Sequence, residues 1–177
     1  MSYSLQLSFF AYSWRHNSRF FAMDINTDGA TSNNGQARAR GGWGVVVESD
    51  RNLDRSGSSA YGNQTNNRYE LDAIREATRI ASQVPDRHIS INTDSQYAVD
   101  SLNTWKSNWE QNGWRTSRGE PVKNQELIRD IDRNINNLRD SGKKVTLKHI
   151  SGHSNDYHNT EADRLARQAA ASNGRRY

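Results

Sequence analysis

Five short stretches of the chain have the pattern of strands, in which apolar residues alternate with polar ones or lie between turn-forming residues. The first predicted strand covers residues 21–27 and ends at Asp28–Gly29, and the others cover residues 42–48, 56–63, 88–93 and 144–150. Turn-forming residues at 49–52 separate the second strand from the third. The first three strands are therefore predicted to form a meander.

Apolar residues at three- and four-residue steps predict amphipathic helices between and after the later strands. The predicted helices cover residues 67–84, which Pro85 terminates, residues 95–102, residues 124–138, and a final segment that Asn159 and Thr160 cap. A Trp-rich segment separates the second helix from the third. Three antiparallel strands followed by helix-linked strands predict an α/β fold, with a mixed five-stranded sheet flanked by helices.

Four acidic residues lie where this sheet would bring side chains together. Asp28 and Asp94 end the first and fourth strands, Glu70 lies near the start of the first helix, and Asp163 lies in the first turn of the last helix. Each acid taken alone is better explained structurally, Asp94 and Asp163 as helix caps and Glu70 as a solvated residue of a first helical turn. Ligands, however, collect beyond the carboxyl ends of strands in such sheets, and carboxylates crowded there repel one another unless a cation is bound.

The residue types indicate which cation would bind. The chain has no cysteine, so a metal site would consist of oxygen or imidazole ligands, and all-oxygen ligation suits Mg²⁺ or Mn²⁺. Two such ions about 4 Å apart can activate water and stabilise the leaving oxygen during attack on a phosphodiester. Asp24 is excluded from the set, because four residues along a strand place it about 13 Å from Asp28.

The composition favours an anionic partner. The 177 residues include 24 Lys and Arg against 20 Asp and Glu, which gives a net charge of +4, and the mean hydropathy is −1.04. A basic chain with an acidic metal cluster favours a nuclease. No apolar run approaches the roughly 20 residues that span a bilayer, so we expect no insertion into a membrane.

Six segments between residues 23 and 171 carry a family resemblance. They are TDGATSNNG at 27–35, GWGVVV at 42–47, TNNRYEL at 65–71, TDSQY at 93–97, WKSNWEQNGWRT with PVKN at 105–124, and GHSNDYHNTEADRLA at 152–166. In this order they resemble the cellular type 1 ribonuclease H (RNase H1) family. The resemblance implies an RNase H-like fold and an endoribonuclease that hydrolyses the RNA strand of RNA/DNA hybrids with two Mg²⁺ ions, for which Mn²⁺ is a substitute. It assigns the ions to Asp28, Glu70, Asp94 and Asp163.

The resemblance also assigns roles around the acids. His153, in the loop before the last helix, resembles the family's mobile histidine and is expected to assist proton transfer or product release, whereas His149 is expected to be structural. The residues implied to contact the substrate through its groove, its phosphates or its DNA strand are Asn34, Thr65, Asn66, Asn67, Arg68, Gln96, Trp105, Trp109, Trp114 and Asn159.

Several of these residues also have structural explanations. Asn34 precedes a glycine, as in a turn, and Trp105, Trp109 and Trp114 have the spacing of a buried helix face. Four bases against two acids over residues 103–125 predict weak, salt-sensitive phosphate binding. The arginines of QARAR at 36–40 fit either a phosphate contact or a solvated loop.

Residues 20–171 are predicted to form one catalytic domain, with an extension at 1–19 and a basic tail at 172–177. The first 23 residues contain arginines and no acid, as mitochondrial leaders do, so we expect an intracellular protein that is cytoplasmic, nuclear or mitochondrial. We expect a monomer without an obligate protein partner. Three alternatives stay open: a retroelement-type RNase H domain, a hybrid-binding module that does not cleave, and a transposase or integrase core, against which the histidine loop and the Trp-rich segment argue.

Overall fold

The computed structural model describes residues 22–34, 39–59, 64–152 and 156–172. Five strands form one sheet in the order β3-β2-β1-β4-β5. The strands are β1 (Ala22–Ser32), β2 (Arg40–Val47), β3 (Arg55–Gly57), β4 (His88–Thr93) and β5 (Lys144–His149). β2 pairs antiparallel with β1 and β3, whereas β4 lies parallel to β1 and β5. The predicted mixed five-stranded sheet is therefore confirmed.

Helices cover both faces of this sheet. They are α1 (Asn66–Gln83), α2 (Gln96–Asp100), α3 (Lys106–Gln111), α4 (Gln125–Asp140) and α5 (Tyr157–Ser172). α1 packs on β1 and against α4, while α5 covers β1 and β2 from the opposite face. The main hydrophobic core lies between the sheet, α1 and α4, and includes the fully buried Ile25, Ile74, Ile91 and Ile128.

The two longest predicted helices, at 67–84 and 124–138, are confirmed within two residues. Their apolar stripes face the core, as their three- and four-residue spacing predicts. α1 ends at Gln83, and Val84 is extended, because a residue before proline is excluded from helical geometry.

Two predicted strands differ from the structure by more than two residues, whereas β2, β4 and β5 lie within two residues of their predicted bounds. β1 does not end at Asp28–Gly29 but continues to Ser32, because β2 pairs with it as far as Arg40. β3 covers only Arg55–Gly57 instead of residues 56–63, and residues 60–63 lie outside the described part of the chain.

The segment after β4 contains more helix than predicted. α2 ends at Asp100, and one π-helical turn (Ser101–Trp105) leads directly into α3. The Trp-rich segment therefore begins on a continuous helical path.

The last helix begins earlier than predicted. α5 starts at Tyr157, and the carboxylate of Asp156 accepts hydrogen bonds from the backbone N–H groups of His158 (2.8 Å) and Asn159 (3.4 Å). Asp156 thus satisfies the first free N–H groups of the helix, and the predicted cap at Asn159 and Thr160 was wrong.

The predicted extension at 1–19 and most of the tail at 172–177 lie outside the described residues, so the domain bounds stay a prediction. Within the described ranges, none of the helices combines the length and the apolar character needed to cross a bilayer.

Candidate active site

The parallel pairing of β1 with β4 places Asp28 beside Asp94. The last register pair of these strands is Thr27 with Thr93. The residue that follows each threonine is an aspartate, so the two aspartates lie at the same level of the sheet. Neighbouring strands lie about 4.8 Å apart, which brings the two carboxylates within reach of one ion. Beyond this level β1 continues along β2 alone, which leaves a gap beside Asp28 where β4 has ended.

Gly29 lets α1 approach β1 closely enough for Glu70 to join the aspartates. A Cβ atom at Gly29 would lie 2.3 Å from the backbone nitrogen of Glu70 and 2.5 Å from the carbonyl carbon of Tyr69, which no side chain permits. As a result, one carboxylate oxygen each of Asp28, Glu70 and Asp94 lie within 4.8 Å of one another. These three residues are called the acid cluster below.

Burial and the repulsion of nearby carboxylates raise the pKa values of Asp28 and Glu70. Burial, followed by the charges of Asp94 and Asp163, raises the pKa of Asp28 to about 7. Burial, followed by the charges of Asp28 and Asp94, raises the pKa of Glu70 well above its ordinary value. The Gly29 N–H donates a hydrogen bond to Asp28 Oδ1 at 2.7 Å, and Asp28 and Glu70 share another. Both carboxyl groups therefore hold protons more tightly than free side chains do, and a cation would compete with those protons.

The acid cluster fits a divalent cation. Glu70 Oε2 is buried and has no hydrogen-bond partner among the described residues, so it is an acceptor that an ion could satisfy. All three donor groups are carboxylates, which are ligands for hard cations such as Mg²⁺ or Mn²⁺. The chain thus provides a site for a divalent metal.

Asp163 lies next to the acid cluster. It shares a cavity of about 170 Å³ with Asp28, Asp94, Asn159, Thr160 and Arg167. Arg167 Nε donates a hydrogen bond to Asp163 Oδ1 at 2.7 Å, so a metal ion would compete with Arg167 for this carboxylate. Asn159 is buried in the same wall, and its Oδ1 has no partner in the described part of the chain.

The loop after β5 closes the other side of Asp94. A Cβ atom at Gly152 would lie 2.9 Å from Asp94 Oδ2, so a side chain at this position would push the Asp94 carboxylate aside. His149 Nε2 lies 3.1 Å from the backbone oxygen of Asp94, a contact that fixes the backbone beside the site. His153 lies outside the described residues, and its role in proton transfer stays a prediction.

Asn34 and Asn66 form a hydrogen-bonded edge beside the acids. The backbone N–H of Asn66 donates to Asn34 Oδ1 at 3.2 Å, and the hydroxyl of Thr31 donates to Asn66 Oδ1. Asn33 has a φ of 52°, which places the predicted turn at this position. The turn explanation of the Asn-Asn pair is therefore confirmed, and the turn presents Asn34 to α1, whereas the contact with substrate stays a prediction.

The other polar residues implied to contact substrate have different surroundings. Thr65 caps α1 by accepting a hydrogen bond from the Arg68 N–H at 3.4 Å. The Arg68 guanidinium donates to Glu126 at 2.7 Å and is mostly buried, so it is engaged within the protein. Asn67 is exposed, and Gln96 donates to Asp100 at 2.8 Å.

The three tryptophans form a series of ring contacts that leads from the surface into the core. Ring centroids are 6.3 Å apart for Tyr97 and Trp105, 5.7 Å for Trp105 and Trp109, and 6.1 Å for Trp109 and Trp114. Trp105 is 38% exposed and Trp114 only 5%. The guanidinium of Arg129 lies 4.5 Å from the ring centre of Trp114. Trp114 therefore supports the series from inside, and Trp105 is its accessible member.

Sequence reasoning missed Arg167 and Gly152. The four-residue step from Asp163 to Arg167 on a predicted helix was the available signal for an ion pair. No signal of this kind exists for Gly152, because its contact with Asp94 depends on how the loop folds over the sheet.

Comparison with known proteins shows the family of this chain. The RNase H family matches residues 21–171. Ribonuclease H of Parvibaculum lavamentivorans is 39% identical over 84% of this chain and 92% of its own length. Ribonuclease H of Schizosaccharomyces pombe is 38% identical over 83% of this chain, which spans only about half (52%) of that relative.

A solved structure with a similar fold is that of LC9-RNase H1, described as a type 1 RNase H with the type 2 active-site motif. It is 28% identical to this chain, with a TM-score of 0.70, and the match covers 86% of this chain and 73% of that one. From the family match, the relatives and the fold, the chain belongs to the RNase H family, as a type 1 ribonuclease H.

Proposed function

We propose that this chain is an endoribonuclease that hydrolyses the RNA strand of RNA/DNA hybrids, with two Mg²⁺ ions at Asp28, Glu70, Asp94 and Asp163. The observation that carries the proposal is the convergence of the acid cluster, whose three oxygen atoms lie within 4.8 Å of one another. Mn²⁺ is the expected substitute, because it shares the preference for oxygen ligands.

In the proposed reaction, different residues of the chain bind the metal ions and transfer protons. When bound, the ions would supply an activated water and would stabilise the leaving oxygen of the phosphodiester. Asp28 and Glu70, whose pKa values burial raises, would release protons as the ions bind. Asp163 would join after exchanging its ion pair with Arg167, and His153 would transfer a proton near neutral pH.

Recognition of the hybrid would depend on its minor groove and 2′-hydroxyl groups. These groups distinguish RNA from DNA and are read by short amide and hydroxyl side chains. Asn34, Asn66, Asn67 and Gln96 are amides of this kind, and Asn34 and Asn66 are already held in place by hydrogen bonds. Trp105, the exposed member of the aromatic series, would contact the DNA strand. Arg68 would act by holding Glu126 and the start of α4 against α1.

A monomeric state and an intracellular location are further parts of the proposal. Light scattering of the purified chain tests the first, and fluorescence imaging of a tagged chain tests the second. These two measurements are independent of the catalytic site.

The activity is tested with labelled substrates and a matched pair of variants. The purified chain is incubated in Mg²⁺ or EDTA with an RNA/DNA hybrid, duplex RNA of the same sequence and single-stranded RNA. We expect cleavage only of the hybrid's RNA strand, and loss of that cleavage in EDTA and in Asp94→Asn. Asp24→Asn is the control, because it removes a carboxylate from the same sheet without touching the acid cluster. Cleavage of all three RNAs, or binding of the hybrid without cleavage, would contradict the proposal.

A further inference from the structure

A second and larger cavity lies beside the acid cluster, between the end of β1, the start of β2 and the C-terminal half of α5. Its volume is about 550 Å³. Its polar lining consists of Thr31, Ser32, Arg40, Asn66, Asp163 and Arg167. Small residues of α5 and β1 leave this space open, since Ala170, Ala171, Gly29 and Ala30 complete the wall.

The larger cavity is continuous with the acid site. Asp163 and Arg167 line both this cavity and the one that contains Asp28 and Asp94. A nucleic-acid strand whose scissile phosphodiester lies at Asp28 and Asp94 would therefore extend past Arg167 into the larger space. The group that arrives there is the next part of the same strand.

Two arginines of this cavity have unused donors. The Arg40 side chain is exposed and makes no hydrogen bond or ion pair with any residue in the described ranges. Arg167 is 71% exposed and uses only Nε, in its bond to Asp163, among the contacts within the described chain. A guanidinium carries five N–H donors, so most of this capacity is free to bind a ligand.

The positions of these arginines are fixed by the backbone around them. Ser32 Oγ donates to the backbone oxygen of Arg40 at 3.2 Å, which joins the end of β1 to the start of β2. Arg167 lies one helical turn after Asp163 on α5, whose small residues pack against Gly42 and Gly44 of β2. Both side chains therefore start from packed strands and helices, on opposite sides of the cavity.

We propose that this cavity is a subsite for a backbone phosphate of the RNA strand near the scissile bond, bound by Arg40 and Arg167. This inference rests on the proposed function, because it takes the strand at the acid cluster to be RNA. Guanidinium groups bind phosphate oxygens through paired, charge-assisted hydrogen bonds, which suits two arginines that face one cavity. Asp163 would link the two sites, because rotation of its side chain toward a metal ion would free Arg167 to bind the phosphate.

The subsite is tested with Arg40→Gln and Arg167→Gln, and with Arg133→Gln as the matched control. Arg133 is 67% exposed and pairs with a helical neighbour, as Arg167 does, but it lies on α4. We expect Arg40→Gln to lower kcat/KM for the hybrid about fivefold through KM, and to make the dependence of log(kcat/KM) on log[salt] shallower by about one unit. Arg167→Gln should lower kcat/KM in the same way, without a loss of kcat, because it leaves Asp163 free to bind an ion. The control should change neither value.

The strand and the phosphate are identified by neutralising one linkage at a time. The hybrids carry a single uncharged methylphosphonate next to a 2′-deoxy sugar in the RNA strand, and the same 2′-deoxy linkage with a normal phosphate is the reference. We expect one linkage near the cleavage site at which the methylphosphonate slows cleavage by the protein without substitutions. At that linkage it should not slow cleavage by Arg40→Gln any further.

The possible outcomes separate the subsite from the proposed function. The subsite is overturned if a methylphosphonate at every RNA linkage slows Arg40→Gln and the protein without substitutions by the same factor. It is also overturned if the linkage at which the methylphosphonate affects only the latter lies in the DNA strand. In both cases the activity stands. Failure of the unsubstituted chain to cut the unmodified hybrid would overturn the proposed function and the subsite with it. Circular dichroism of the three variants verifies that each retains the fold.

Discussion

Asp28 and Glu70 are carboxylic acids buried side by side, and burial and neighbouring charge raise the pKa of both. A protein that binds a proton more tightly when folded loses stability as the pH rises and the proton is removed. The acid cluster therefore destabilises the fold near neutral pH, and a bound divalent ion should offset that cost. The site combines a stability penalty with a metal-binding function in the same residues.

The first prediction concerns stability against pH in EDTA. Asp28 has an ordinary pKa of 3.8 and a folded pKa of about 7, so stability from this group is fully present below pH 3.8 and is lost as the pH rises through 7. Asp28→Asn removes the titrating group. We expect the variant to exceed the unsubstituted chain by roughly 1–3 kcal/mol in free energy of unfolding at pH 8, and the difference to decrease toward pH 4.

Urea unfolding at several pH values measures this difference, with Asp24→Asn as the control for removing an aspartate from β1. If the free energy of unfolding depended on pH equally in the unsubstituted chain and in Asp28→Asn, the raised pKa of Asp28 would be contradicted. Addition of Mg²⁺ should stabilise the unsubstituted chain more than the variant, because only the former has the complete acid cluster.

The second prediction concerns the close contact at Gly29. Gly29→Ala places a methyl group 2.3 Å from the backbone nitrogen of Glu70, so α1 must move away from β1 and take Glu70 with it. We expect a loss of about 1–3 kcal/mol in stability and a loss of hybrid cleavage larger than the unfolded fraction explains. Ala22→Ser, at the exposed start of the same strand, is the control. Full activity in a folded Gly29→Ala protein would show that Glu70 needs no such contact.

The sequence indicated the acids but not the glycines that position them. Asp28 and Asp94 were predictable because each follows a run with strand periodicity. The Asp28–Gly29 pair was predicted only as the end of the first strand. Its real role, the close approach of α1, depends on a contact between residues 41 positions apart, which no local pattern contains.

At the scale of elements, the order and register of β1 and β4 create the site. These parallel strands pair up to Thr27 and Thr93, which places Asp28 and Asp94 at one level of the sheet. α1, packed on the face of the sheet, adds Glu70. The helical periods predicted α1 and α4 well because both bury one stripe. The bounds of β1 and β3 differed from prediction because strand ends are set by the partner strand, which lies elsewhere in the sequence.

The third prediction separates two tryptophans of the aromatic series. Trp114 is 5% exposed and packs under Arg129, so Trp114→Ala should cost about 3–5 kcal/mol in stability. Trp105 is 38% exposed, so Trp105→Ala should cost only about 1 kcal/mol but should raise KM for the hybrid. Urea unfolding and steady-state kinetics measure the two effects. Equal losses of stability, or an unchanged KM in Trp105→Ala, would contradict these roles.

At the scale of the whole molecule, chemically different groups gather along one edge of the sheet. The acid cluster lies where β4 ends beside β1, Asn34 and Asn66 lie beside it, and the arginine-lined cavity continues from it along α5. The fold class, the family and this edge were predictable from the order of segments along the chain. The larger cavity was not, because its walls come from β1, β2 and α5, which are distant in sequence.

We expect Asp28, Glu70 and Asp94 to form a divalent metal site. Anomalous X-ray diffraction from crystals of the chain grown with Mn²⁺ tests it most directly, because manganese can be located without reference to activity. We predict manganese bound by carboxylate oxygens of all three residues, and its absence from crystals of Asp94→Asn grown under the same conditions. Manganese bound only elsewhere, with none between the three carboxylates, would contradict this expectation.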